Sequence, residues 1–251
     1  EGMWLPECAV DIETLEVLAE AHIAYTILAP SQASAIRAPH QYAWQDATED
    51  PVDTRRAYLH ELPSKRKIAL FFYDGRISQE VAFSGLLNSG DVLRERLLST
   101  FDSRETPQIA HIATDGETYG HHHRHGEMAL AYAIHTILGG DKARLTNYGQ
   151  FLAHSPAQWG ARIQDVSSWS CAHGVGRWTR DCGCHVGGLP EWNQAWREPL
   201  RVALNELRDG LARVFEEQSS HLLKDPWAAR NDYVRICLSD SVAERDAFFS
   251  R

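Results

Sequence analysis

Apolar runs that end at an acidic residue alternate with helical stretches through the first half of this chain. Lys67–Tyr73 runs into Asp74, and Gln108–Ala113 runs through Thr114 into Asp115. A strand that is apolar along its whole length is buried on both faces, which is typical of a parallel sheet covered by helices. The alternation therefore predicts an α/β fold with a parallel sheet or a β/α barrel, in which strand ends present functional side chains.

The predicted strands are few. We expect one that ends in Gly2–Cys8, then Ile23–Ala29, Lys67–Tyr73 and Gln108–Ala113, with one further candidate at Ala143–Leu145. This number is too small to close a barrel. Since the chain also begins on a motif and without an initiator methionine, we expect sequence upstream of Glu1.

The pattern changes after Pro156, where leucines at three- and four-residue spacing indicate a long amphipathic helix from Trp192 to Phe215. Asp225 to Arg251 is also predicted to be helical. We therefore divide the chain into an incomplete β/α barrel, residues 1–156, and a helical subdomain packed on it, residues 157–251. Within the first part, Ser31–Asp53 is polar and rich in aromatic residues, which predicts a loop over a site.

Composition and charge exclude several classes of function. The formal net charge is -9, whereas nucleic-acid binding requires clustered Lys and Arg. No apolar run reaches the length of a membrane span, and no secretory signal opens the chain. The five cysteines are an odd number in a long chain, which favours reduced thiols in a cytoplasmic protein over a disulfide scaffold.

Two carboxylates, Glu7 and Asp115, stand where predicted strands end. A retaining glycosidase requires one carboxylate as nucleophile and one carboxylic acid as proton donor, roughly 5–5.5 Å apart. The alternative is that Glu7 is a surface acid and Asp115 a helix N-cap. Asp74 follows a strand in the same way and competes for either role, while Glu117 is a fourth acid that could serve the start of a helix.

Four segments, in order along the chain, resemble the motifs of glycoside hydrolase family 57. Gly2–Ala9 resembles the segment that carries the nucleophile, and Thr114–His121 the segment that carries the acid/base. Phe71–Ser78, followed by Ala82-Phe83, is similar to a strand segment of the family. Cys171–Gly176 is similar to its last block, beside the barrel. The family's early His-Gln-Pro block is absent, since His40-Gln41 falls after Glu7.

This resemblance implies a partial (β/α)7-type barrel followed by an α-helical subdomain, in a retaining enzyme that acts on α-linked glucans without a cofactor. Glu7 would be the nucleophile and Asp115 the acid/base. The expected substrate-binding residues are Trp4, Asp74, Glu117, His121, His173 and Trp178. Trp169 is a further candidate for stacking on a sugar, although most Trp side chains are simply buried. The motifs do not separate hydrolases from transferases.

The histidine run His121–His125 supplies an alternative enzyme. If it is helical, His121 and His125 lie on one face and could bind a metal together with Asp115, as in polysaccharide deacetylases. We favour a role in the sugar site, because the segment around Glu7 has no function in a deacetylase. A third possibility is a protein that binds glucan without turning it over.

A second metal candidate combines Cys171 and His173 with Cys182 and Cys184, next to His185. Structural zinc usually binds paired cysteines that are separated by two or more residues, so the Cys-x-Cys spacing is a poor fit. We therefore predict buried reduced thiols and no bound metal at these positions, with a structural zinc site as the alternative. No phosphate-binding glycine loop or serine nucleophile motif is present.

Overall fold

The computed structural model describes residues 1–48, 52–185, 187–239 and 241–250. These residues form two compact units, Glu1–Gly176 and Arg177–Arg251. The described strands all belong to the first unit: β1 (Gly2–Met3), β2 (Tyr25–Leu28), β3 (Ala33–Arg37), β4 (Gln45–Asp46), β5 (Ala57–Glu61), β6 (Lys67–Phe72) and β7 (Trp159–Ile163). Its helices are α1 (Ile12–Glu20), α2 (Gly75–Phe83), α3 (Gly90–Leu98), α4 (Gly126–Leu138) and α5 (Tyr148–His154).

The described strands form one seven-stranded sheet in the order β1-β2-β6-β5-β7-β3-β4. Strands β1, β2 and β6 are parallel, as predicted, whereas β5 is antiparallel to β6 and β3 is antiparallel to both β7 and β4. After the exposed Lys67, β6 is apolar and buried on both faces, and Phe71 and Phe72 are fully buried. The α/β class predicted from the sequence is confirmed.

Three expectations about individual segments are wrong. Ser31–Asp53 is not a plain loop, because it contains β3 and β4; residues 49–51 of that stretch lie outside the described ones. Gln108–Ala113 is extended but forms no strand: Ile109 donates to the Arg55 carbonyl, and the His111 carbonyl accepts from Asp74. No strand forms at Ala143–Leu145.

Helix starts follow the capping residues in the sequence. Asp11 caps α1 by accepting a hydrogen bond from the Thr14 amide at 2.7 Å, and Asp74 caps α2 through the amides of Arg76 and Ile77. Short polar side chains that precede an apolar-periodic stretch satisfy amides that have no partner in the first turn. These local signals determine where β6 ends and where α2 begins.

The second unit contains three described helices, α6 (Arg197–Ser219), α7 (Pro226–Leu238) and α8 (Val242–Phe249). Aromatic pairs join them: Phe215 packs on Trp227, and Tyr233 on Phe248. Residues 240 and 251, within the stretch predicted to be helical, lie outside the described ones. No described helix is both long and apolar enough to span a membrane. The division of the chain into an incomplete barrel and a helical subdomain after Pro156 stays a prediction, and the sheet extends beyond that residue because it includes β7.

Gln32 is a buried polar side chain that joins three parts of the first unit. Its amide nitrogen donates to the Cys8 carbonyl at 2.7 Å and to the Ser167 hydroxyl at 3.1 Å, and its amide oxygen accepts from Ala29 at 2.9 Å. Gln32 is 1% exposed, so water cannot replace these partners.

We predict that Gln32→Ala lowers the free energy of unfolding by about 3 kcal/mol, because it leaves a cavity and buried polar groups without partners. Urea denaturation followed by circular dichroism measures this change. The exposed Gln41→Ala is the matched control and should stay within about 0.5 kcal/mol of the unsubstituted protein. Equal midpoints for the two variants would contradict a structural role of Gln32.

Candidate active site

Glu7 lies in a tight turn with an unusual backbone. It occupies a short 3-10 turn, Pro6–Cys8, two residues after β1, with φ at 60° for Glu7 and 46° for Cys8. Two consecutive non-glycine residues in the left-handed region each cost about 1–3 kcal/mol, and such strain concentrates at functional sites. Hydrogen bonds to both backbone carbonyls maintain the turn: the Trp169 amide donates to Glu7 at 3.0 Å, and Gln32 donates to Cys8.

The Glu7 carboxylate is held through one oxygen. The Trp169 indole Nε1 donates to Glu7 Oε2 at 2.9 Å, and the Ser170 hydroxyl donates to the same oxygen at 2.5 Å. Glu7 Oε1 has no hydrogen bond of its own among the described residues. Hydrogen bonds to a charged group are stronger than neutral ones, so this pair fixes the carboxylate and orients its second oxygen.

A cluster of aromatic rings lies beside the Glu7 carboxylate. Trp169 meets Trp4 edge-to-face at 5.2 Å between ring centroids, and Tyr73 at 6.2 Å. Trp4 is 40% exposed, which leaves ring surface available to a ligand. Trp169 is half-buried, and its indole nitrogen donates to Glu7. Burial, reinforced by the negative charge of Glu7, raises the pKa of Cys8 to about 12, so this thiol stays protonated and is not a competing nucleophile.

Asp115 is exposed at the end of the extended segment and precedes a short 3-10 turn, Gly116–Thr118. Its backbone carbonyl accepts from Thr118, while its carboxylate makes no capping hydrogen bond. Asp115 therefore occupies the N-cap position through its backbone only, and its carboxylate is open to solvent. Glu117, in the turn itself, is also exposed.

The helical premise behind the metal-dependent alternative is wrong. His121 to His125 form turns, and α4 begins only at Gly126, so His121 and His125 do not share a helix face. His125 has a φ of 67°, and the His123 ring nitrogen Nε2 donates to the Ala82 carbonyl at 2.8 Å. Among the described residues, these histidines and Asp115 form no group of converging metal ligands. His121 itself is exposed beside the turn that Asp115 begins.

Asp74 is already engaged in structure. Its Oδ1 accepts from two backbone amides at the start of α2, and its own amide donates to the His111 carbonyl at 2.9 Å. These contacts account for an acid at this strand end without a catalytic role. Its predicted contact with the sugar is untested and stays a prediction.

His173 and Trp178 are the remaining predicted site residues. His173 is exposed, with its Nδ1 3.9 Å from the Cys171 sulfur. Trp178 belongs to the second unit and is half-buried. Sequence reasoning missed Ser170 and Gln32. The position of Ser170, directly before the block that begins at Cys171, is the one signal that could have indicated it.

Comparison with family models gives two matches. One, described as glycosyl hydrolase family 57, matches residues 1–151, and one described as a domain of unknown function (DUF3536) matches residues 192–251. The first covers more than half of the chain. The chain belongs to glycosyl hydrolase family 57. The matched range includes both Glu7 and Asp115. None of the curated proteins compared with this family-57 chain matches it.

Solved structures give fold-level similarity. A 4-alpha-glucanotransferase from Thermococcus litoralis is similar with a TM-score of 0.51 and 16% identity, over 88% of this chain and 30% of that one. An exo-type maltose-forming amylase from Pyrococcus sp. ST04 is similar with a TM-score of 0.65 and 16% identity, over 88% of this chain and 40% of that one. This family-57 chain therefore spans less than half the length of either structure, and at this identity the likeness concerns the fold.

The buried His111, next to the end of β6, makes the stability of the fold depend on pH. Its Nε2 donates to the Thr54 carbonyl at 2.9 Å and its Nδ1 accepts from the Tyr148 hydroxyl at 3.1 Å, which defines a neutral imidazole. Burial lowers the pKa of His111 to about 4. Between about pH 6.5 and pH 4 the unfolded chain therefore takes up a proton that the folded chain does not, and stability falls as the pH falls.

We predict that His111→Gln makes the decline in unfolding free energy from about pH 6.5 to pH 4.5 shallower, by up to about 1.4 kcal/mol per pH unit. Urea denaturation at several pH values measures the slope. The exposed His154→Gln serves as the control and should keep the slope of the unsubstituted protein. Identical slopes in all three proteins would show that His111 is not neutral when folded.

Proposed function

We propose that this family-57 chain carries the two catalytic acids of a retaining enzyme that acts on α-linked glucans. Glu7 is the nucleophile, and Asp115 is the general acid/base. The observation that supports this most strongly is the Glu7 carboxylate itself, which stands on a strained turn with Oε2 fixed by two donors and Oε1 left for attack.

The reaction proceeds in two displacements. In the first, Glu7 Oε1 forms a bond to the anomeric carbon while the glycosidic bond breaks and Asp115 gives its proton to the departing oxygen. In the second, Asp115 takes a proton from water or from an acceptor sugar, whose oxygen displaces Glu7. The Trp169 and Ser170 donors stay with Glu7 throughout and return the carboxylate to the same orientation after each turnover.

The substrate lies against aromatic and polar side chains around Glu7. The exposed ring surface of Trp4 suits the apolar face of a sugar, and its edge contact with Trp169 fixes the ring. Asp74, Glu117, His121, His173 and Trp178 complete the proposed set of sugar contacts. Carbohydrate is the substrate class because hydroxyl groups require this mixture of flat apolar surface and hydrogen-bonding side chains.

Family membership supports the coarser level of this proposal, a glycoside hydrolase or glycosyl-transferring enzyme. The names of the two similar structures, a 4-alpha-glucanotransferase and a maltose-forming amylase, support an α-glucan as the substrate. Whether water or a sugar accepts the glycosyl group depends on how well water is excluded from the intermediate. A glucan-binding protein without turnover is the competing function, since the chain spans 30% and 40% of those structures.

We predict that Glu7→Gln lowers kcat on a malto-oligosaccharide by at least about 1,000-fold, because the amide cannot form the glycosyl intermediate. Its dissociation constant, measured by calorimetry, should stay within about threefold, since the amide oxygen can still accept both hydrogen bonds. Glu20→Gln, an exposed acid on α1, is the control and should leave turnover unchanged. Binding without turnover in the unsubstituted protein would instead establish the glucan-binding alternative.

We predict that Asp115→Asn slows cleavage of malto-oligosaccharides by about 100- to 10,000-fold but slows bond cleavage in aryl glycosides with acidic leaving groups far less. The reason is that a good leaving group departs without a proton. Pre-steady-state release of the aryl alcohol and steady-state sugar release measure the two effects. Equal losses on both substrates would remove Asp115 from the acid role, and proton NMR of the first product anomer tests retention independently.

A further inference from the structure

A cleft of about 980 Å³ opens on the first unit, lined by parts of β3, β5 and β7. Small-molecule sites commonly enclose about 300–1,000 Å³, so this volume suits a ligand larger than a single ion. The loop 38–44, between β3 and β4, borders the cleft and belongs to the stretch that the sequence predicts to cover a site. Among the described residues, those that line the cleft include none of the proposed catalytic or sugar-binding residues. The cleft is therefore a second candidate site within the same unit.

Positive charge exceeds negative charge in this cleft, although the whole chain has a formal net charge of -9. The Lys, Arg, Asp and Glu side chains that line it are Arg37, Lys65, Lys67, Arg162, Glu61 and Asp165. Glu61 is paired with Lys65 at 3.4 Å, and Asp165 accepts a hydrogen bond from the Ile12 amide at 2.9 Å. The remaining cations therefore favour an anionic ligand, since a cleft lined by one sign of charge attracts the opposite sign.

Three of these cations have donors that the protein does not use. Arg37, Lys67 and Arg162 form neither an ion pair nor a side-chain hydrogen bond with any described residue. Each guanidinium carries its N–H donors in a planar fork, which matches two oxygens of one phosphate group. A phosphate has enough oxygens to accept from both arginines and from the lysine. The unused donors therefore indicate a phosphate group as the anion.

One indole ring restrains both guanidinium groups. The guanidinium carbons of Arg37 and Arg162 lie 4.6 Å and 4.2 Å from the centre of the Trp44 ring. Trp44 lies against the sheet where Gly160 has no side chain, since a Cβ atom there would be 3.1 Å from Trp44 Cη2. Arg37 pairs with Gly160 across the strands, and Arg162 is two residues further along β7, so both arginines lie on the same face of the sheet. Because cation–π contacts already restrain these long side chains, a ligand loses less conformational entropy when it binds them.

The loop beside the arginines adds an aromatic surface. Tyr42 lines the cleft and is 95% exposed, so its ring is available to a ligand. His40 has a φ of 63°, and the Gln41 amide donates to the Ala38 carbonyl at 3.2 Å, which makes a tight turn just before Tyr42. An exposed aromatic ring suits the apolar face of a sugar. The cleft therefore combines cations for a phosphate with a flat surface for a sugar ring.

We propose that this cleft binds a phosphate monoester carried on a sugar. Arg37 and Arg162 donate to the phosphate, Lys67 adds a third positive charge, and the Tyr42 ring lies against the sugar. The ligand is a small sugar phosphate or a phosphorylated residue of a glucan, which share this chemistry. An unphosphorylated sugar would use none of the three charges. Binding breaks no bond and is measured without turnover, so failure of this proposal and failure of the catalytic proposal give different results.

The test is isothermal titration calorimetry with glucose 6-phosphate, inorganic phosphate and glucose. We expect glucose 6-phosphate to bind at least about tenfold more tightly than inorganic phosphate, because the sugar adds contacts. Arg37→Gln and Arg162→Gln should each weaken its binding by at least about tenfold, since each removes charge-assisted hydrogen bonds. Arg162→Lys should restore only part of the affinity, because an ammonium group cannot make the bidentate contact. Arg144→Gln, which removes an exposed arginine outside the cleft, should keep Kd within about twofold.

A malto-oligosaccharide that carries one 6-phosphate identifies the source of the phosphate. The same oligosaccharide without phosphate is the reference, because its glucan part can also bind at the candidate active site. If the phosphate increases the affinity and Arg162→Gln abolishes that increase, the ligand is a phosphorylated glucan. If the phosphate gives no increase while glucose 6-phosphate depends on Arg162, the ligand is a small sugar phosphate.

Several results would overturn the proposal. These are no binding of glucose 6-phosphate, equal affinity for inorganic phosphate, an equal loss with Arg144→Gln, or a loss with Glu7→Gln in place of the cleft variants. If an arginine variant fails to fold, the unsubstituted protein still gives an answer. Glucose 6-phosphate, but not glucose, should protect Arg37 and Arg162 from phenylglyoxal, as read by peptide mass spectrometry, and absence of that protection would also contradict the proposal.

Discussion

The left-handed turn at Glu7 and Cys8 is the constraint on which the candidate site depends. Neither residue is a glycine, so the turn persists only because other parts of the first unit hold it. Trp169 and Gln32 donate hydrogen bonds to its two carbonyls, and Trp169 and Ser170 hold the Glu7 side chain. A carboxylate so placed has little freedom to reorient before it reacts.

This arrangement links distant parts of the sequence. Val10 pairs with Ser167 in an isolated antiparallel bridge, and Ser167 also accepts a hydrogen bond from Gln32. The segment continues to Gly174, where a side chain could not fit because a Cβ atom would lie 2.0 Å from the Val166 carbonyl oxygen. Stability and function are therefore coupled here: contacts that maintain the strained turn also set the geometry of the nucleophile.

Local signals were sufficient for much of the fold. The apolar run of β6, the capping residues Asp11 and Asp74, and the helical periodicity of α1 each depend on residues that are neighbours in sequence. The antiparallel strands β3 and β7 were missed because they are short and only partly apolar, and because their pairing, as at Ala33 and Ile163, joins residues far apart in sequence. Extended backbone at Gln108–Ala113 was mistaken for a strand, since an apolar run shows extension but does not show whether a partner strand is available.

The sequence by itself determined the α/β class and the family, and it predicted the two acids of the proposed chemistry, because these depend on periodicity and on short motifs of adjacent residues. Only the tertiary structure revealed how the turn at Glu7 is held, since Ser170 donates to the Glu7 carboxylate and Gln32 to the Cys8 carbonyl from distant parts of the chain. It also removed the helical basis of the His121–His125 metal site. Residue spacing could not decide this, because convergence of side chains depends on backbone turns such as that at His125.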